Sequence, residues 1–210
     1  ERAWRRGADP AHLAERAGCS RAAAQRAINL ARAARLRATV GTAGWPESIH
    51  GSVGPGALAS HDALTPVRVR EGLWAWDESD ALRLIDSART RVVLPPREER
   101  TLLVAIRTLG SLAARWSRDL DRHSPDAERL DAAETALRWS ALLRAEVVRP
   151  LLTLVVETVE GVLGVPMDRL GAEDLRDLMT GQLEVLGRAV DHADPTAGGR
   201  VAGAAALGLS

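Results

Sequence analysis

Apolar side chains recur every three or four positions over most of the chain, and the intervals where that period fails mark where elements stop. In "DPAHLAERAGCSRAAAQRAINLARAARLR", Pro10 suits a helix start, Gly18 a left-handed turn and Ser20 the cap of a second helix. Leu13, Ala14, Ala17, Cys19, Ala24 and Ala27 fall where two closely crossing helices bury small and apolar side chains. From Gly41 to Pro66 the period is lost among Gly, Pro and Ser, which reads as linker. Val67, Val69, Trp74 and Trp76 then alternate with polar or small residues. That pattern fits a short β-hairpin, a wing, and equally fits tryptophans anchoring the linker on the next helix, Glu78 to Thr90; the second is preferred. Beyond Leu94 three more helices are expected. One starts at the prolines of "PPREERTLLVAIRTLG", and one is capped by Ser124 with Pro125 at its first position, is interrupted by Pro150 and ends at Gly164. The last covers roughly Gly171 to His192. The chain is therefore expected to be all-α: a helix-turn-helix unit over 1–40, a linker with the hairpin option over 41–77, and a multi-helix domain over 78–210.

Composition narrows the chemistry. The chain has 210 residues, 46% of them hydrophobic, enough to bury one or two cores. Its greasiest run, "PLLTLVVETVEGVLGV", carries Glu157 and Glu160, so no membrane span is expected. The chain opens on Glu1 rather than methionine, as a piece of a longer protein would, and shows no signal peptide; with Cys19 as its one cysteine it reads as cytoplasmic. Phe, Tyr and Lys are absent, a bias of very GC-rich coding sequence that also excludes P-loop lysines, Schiff bases and tyrosine nucleophiles. Trp45, Trp74, Trp116 and Trp139 then take the large aromatic packing positions. His50 and His61 lack the spacing of a metal site, so neither a metal nor another cofactor is expected. The acids Glu157, Glu160, Glu173, Asp174 and Asp177 read as solvated helix faces, and an enzyme is not expected.

Net charge is zero but unevenly spread: nine arginines from Arg2 to Arg37 face only Asp9 and Glu15. Such a basic segment suits phosphate contacts, and its neutral counterpart is an alanine-rich hairpin with a solvated face. Ser20, Arg21, Gln25, Arg26, Asn29 and Arg32 are expected on the DNA-binding face of the second helix, as residue types that read guanine or adenine edges or hold phosphates. The stretch is similar to the "LAERAGVSRATV" pattern of bacterial regulators.

The helical half resembles the central part of sigma-70-family transcription initiation factors. "LPPREERTLLVAIRTLG" is similar to the family's region 1.2, "LLRAEVVRPLLTLVVETVEG" to region 2.1, and "DLMTGQLEVLGRAVDHADP" to region 2.2. Against the typical run "DLIQEGNLGLLRAVDRFDP", Asp177, Leu178, Leu186, Arg188, Ala189, Val190, Asp191, Asp194 and Pro195 match without a gap, and Ala197 to Arg200 follow as a short turn. Thr180, Gly181 and Gln182 replace the family's "QEG". Where the family has an aromatic segment that stacks flipped promoter bases, this chain has "RVAGAAALGLS", with no ring to stack. The resemblance implies docking on the clamp helices of core RNA polymerase by Asp177, Thr180, Gln182, Glu184, Arg188 and Asp191, without promoter melting by these residues.

A double-stranded DNA-binding transcription factor with a sigma-like polymerase-contacting domain is the function expected. The alternative is a one-component repressor whose helical half forms a homodimer and holds a small ligand.

Overall fold

The computed structural model describes residues 9–42, 78–90, 94–195 and 200–209. The hairpin option at Val67 to Trp76, the histidines His50 and His61, and most of the expected linker lie outside the described residues, as does the turn at 197–199. The described residues form an all-α structure. In chain order the helices are α1 (Pro10–Ala17), α2 (Arg21–Thr42), α3 (Glu78–Arg89), α4 (Pro96–Arg118), α5 (Ala127–Val148), α6 (Leu152–Leu163), α7 (Ala172–His192) and α8 (Val201–Leu209). Single 3₁₀ turns at Arg149–Leu151 and Met167–Arg169 flank α6. No described helix is long and apolar enough to cross a membrane.

The breaks follow local chemistry. Asp9 caps α1 by accepting from Ala11 N–H, and Gly18 ends it at φ +61°, a left-handed conformation that an L side chain strains to adopt. Pro150 cannot donate a helical hydrogen bond, and at that point the backbone tightens into the 3₁₀ turn before α6 begins. The cap of α5 differs from expectation: Asp126 Oδ1, not Ser124, accepts from Arg129 N–H at 2.8 Å. Ser124 instead donates its own N–H to Asp121, so it belongs to the preceding turn.

The chain divides into two compact units that are discontinuous in sequence, residues 1–64 with 107–140 and residues 65–106 with 141–210, rather than three consecutive segments. The reason is the length of α4 and α5, each of which gives one stretch to one unit and the remainder to the other. In the first unit Ala33 and Leu36 of α2 pack with Leu120, Leu130 and Ala133, bordered by Val40, Trp116 and Leu137. Against the start of α2 packs α1, and Ala14, Ala24 and Ile28 are buried.

In the second unit α3 packs on α6 and α7, and α8 packs on α7 and α6. Ile85, Val155, Leu175, Met179, Leu186, Val201 and Ala205 are almost fully enclosed. Helix α8 lies so close to α7 that a Cβ on Gly208 would come within 2.8 Å of Val185 Cγ1. Its start is anchored by Glu99, 4% exposed, which accepts from Val201 N–H and from Arg200 Nε at 3.0 Å each. Arg200 Nη2 also donates to Leu94 O at 2.7 Å.

Candidate nucleic-acid interface

The first turns of α2 carry the expected chemistry. Ser20 caps the helix, its Oγ accepting from Ala23 N–H at 3.2 Å. Ser20, Arg21 and Arg26 are exposed and Gln25 is half-buried. The turn that delivers this end is also more open than expected: Ala17, Cys19 and Ala27 are exposed rather than buried, while Ala14 and Ala24 are buried. So α1 braces α2 through few side chains and leaves its capped end in solvent.

Asn29 and Arg32, expected on the same outward face, are buried at 7% and 8% exposure. They share the stripe of Ile28, Ala33 and Leu36, and partners within the first unit satisfy them. Asn29 Nδ2 donates to Pro125 O at 3.5 Å, and its Oδ1 accepts from Gln25 Nε2 at 3.0 Å. The Arg32 guanidinium pairs with Asp131 and donates to both oxygens of Glu134, at 3.1 and 3.0 Å. Burial works against its charge, but the hydrogen bonds to Glu134 and Asp131 outweigh this and hold the pKa above its ordinary value. Arg37 adds a hydrogen bond to Leu120 O at 3.0 Å. Two of the six residues expected to meet DNA therefore fix α2 in its unit.

Helix α7 sorts its side chains differently. At about 3.6 residues per turn, positions 177, 180, 184, 188 and 191 share one arc, and position 182 lies across the helix from them. Asp177, Thr180, Glu184, Arg188 and Asp191 are exposed. Gln182 instead joins the stripe Leu175, Met179, Leu186 and Val190, and its Oε1 is buried with no hydrogen-bond partner among the described residues. Its expected place on the polymerase-facing surface is thereby corrected. Asp191 pairs with Arg144, which also donates to Gly187 O at 3.0 Å. The Asp191 side chain is only partly open to solvent, at 36% exposure, and the partial desolvation of its carboxyl pushes the pKa up against the opposing pull of Arg144 and His192.

Sequence reasoning missed the ion-pair partners, namely Glu134 and Asp131 for Arg32, Glu99 for Arg200 and Arg144 for Asp191, of which Glu99 alone is buried. One signal was available for Glu99, which stands four positions before Leu103 and seven before Ile106, on the buried stripe of α4. Among the described residues no group of three or more His, Cys, Asp or Glu is placed to hold a metal ion. Compared with protein-family models, with curated proteins and with solved structures, the chain matches none of them.

Proposed function

We propose that the protein is a DNA-binding transcription factor that enters the major groove with the capped end of α2 and contacts core RNA polymerase through the exposed arc of α7. The observation that carries this reading is the division of α2. Its second half is fixed by Asn29, Arg32, Ala33 and Leu36, while its first two turns hold Ser20, Arg21, Gln25 and Arg26 at or near the surface. A helix anchored at one end and basic at the other is suited to insertion, because ordering costs little once the anchored half is packed. Arg21 and Arg26 supply phosphate or guanine contacts, and the Ser20 hydroxyl is spent on capping.

On α7 the arc of Asp177, Thr180, Glu184 and Arg188 is a polar surface over a well-packed inner face, the arrangement a docking helix needs. Asp191, drawn to Arg144, belongs to the edge of that arc. A pull-down of purified bacterial core RNA polymerase tests this half. The wild type should retain polymerase, and Asp177→Arg with Arg188→Glu should abolish retention. No retention by the wild type at low salt and micromolar protein contradicts it.

A further inference from the structure

The polar chain that leads inward from Gln25 fixes which way its amide points. Three facts hold together: Gln25 Nε2 donates to Asn29 Oδ1 at 3.0 Å, Asn29 Nδ2 donates to Pro125 O at 3.5 Å, and Asn29 is 7% exposed. An amide side chain looks alike in both of its flipped orientations, but a backbone carbonyl can only accept. Pro125 O therefore requires the Nδ2 end of Asn29. That leaves Asn29 Oδ1 facing Gln25, and an oxygen requires the Nε2 end of Gln25. The direction set by one carbonyl passes through two amides. The relay uses one Nε2–H of Gln25 and neither its Oε1 acceptor nor its second Nε2–H.

We propose that Asn29 is a positioning residue that presents the Gln25 amide to an adenine in the major groove. This rests on the reading of α2 as the DNA-entering helix. In the groove, adenine shows an exocyclic amino donor beside a ring-nitrogen acceptor, the complement of one amide oxygen and one amide N–H. Guanine shows two acceptors there, and one of them meets the Gln25 oxygen without a proton between. Because Asn29 is buried and holds the half-buried Gln25 amide in one orientation, Gln25 gives up little rotational freedom on binding. A free glutamine on a helix could present either end and would discriminate less.

The test selects random-sequence duplex DNA on the wild type, Gln25→Ala, Gln25→Arg and Asn29→Ala, with circular dichroism melting to show that each variant is folded. The wild type should enrich a site with a fixed adenine, preferred over guanine there by roughly tenfold. Gln25→Ala and Asn29→Ala should both lose that preference while the salt dependence of binding stays unchanged, which a merely structural Asn29 would not produce. Gln25→Arg should move the preference to guanine. A folded Asn29→Ala that keeps the adenine preference overturns the proposal. If Asn29→Ala does not fold, Gln25→Arg decides, and an unmoved adenine preference overturns it. A wild type that binds DNA in a salt-dependent way but enriches no sequence also overturns it, leaving the DNA-binding reading intact. A wild type that binds no DNA removes both.

Discussion

Helices α2 and α7, 22 and 21 residues long, each present one face to solvent, yet they secure the opposite face by different means. The inner face of α7 is apolar apart from Gln182: Leu175, Met179, Leu186, Ala189 and Val190. Part of the inner face of α2 is polar, with Asn29 and Arg32 buried between Ile28 and Leu36. The apolar face needs only shape to be stable, whereas the polar face needs each partner in place. Stability in α7 is therefore spread over many contacts, and in α2 it depends on a few named ones.

Large-to-small substitutions in α7 should show the greatest effect. Leu186, fully buried, should cost about 3 kcal/mol on change to alanine, from lost burial plus the cavity left behind. Urea denaturation measures this, and a loss within 0.5 kcal/mol, the range of a surface change, would place Leu186 outside a packed core. In α2, Arg32→Ala should cost about 2 kcal/mol. It leaves the half-buried Glu134 to Arg35 at 3.5 Å, while Asp131, 67% exposed, is taken up by water. If Arg32→Ala leaves the denaturation midpoint unchanged but weakens DNA binding, Arg32 faces DNA and the comparison between the two helices is wrong.

The smallest effect belongs to the turn that leads into α5. Asp121 accepts from the N–H groups of His123 and Ser124 at 2.7 Å each, and these bonds hold its pKa below the ordinary 3.8. The depressed folded value means that its contribution is present above pH 3.8 and is lost as the pH falls through the folded pKa. Asp121→Ala should thus be slightly less stable than wild type at neutral pH, and the gap should close in acid. Melting temperatures taken across that range check it, and a gap that stays constant into acid contradicts the assignment.

Much of this fold was legible in the sequence. Pro10, Gly18, Ser20, Pro150 and Gly164 stand at the breaks their chemistry requires, and the three-to-four period marks α3 and α7 to within a residue, whereas α8, built from the Ala- and Gly-rich run after Arg200, has too little polar contrast to show as a helix and is not expected. The discontinuous units were not legible, because a 23-residue helix such as α4 shows no sign in its own sequence of serving two cores. The candidate interface was half legible. The capped, basic start of α2 stands where expected, but polarity alone predicts exposure for Asn29, Arg32 and Gln182, and the structure turns all three inward. Their positions on otherwise apolar stripes were the contrary signal. Whether that signal prevails depends on a partner such as Glu134 or Pro125 about a hundred residues away in the chain, which no local pattern records.

The central claim is that the exposed start of α2, and not its buried continuation, meets DNA. Fluorescence anisotropy titration of duplex DNA at several salt concentrations, for wild type and for Arg21→Ala with Arg26→Ala, tests it most directly. The account predicts a folded double variant with weaker binding and a logarithmic salt slope shallower by about two. A folded double variant with the affinity and slope of the wild type would contradict it.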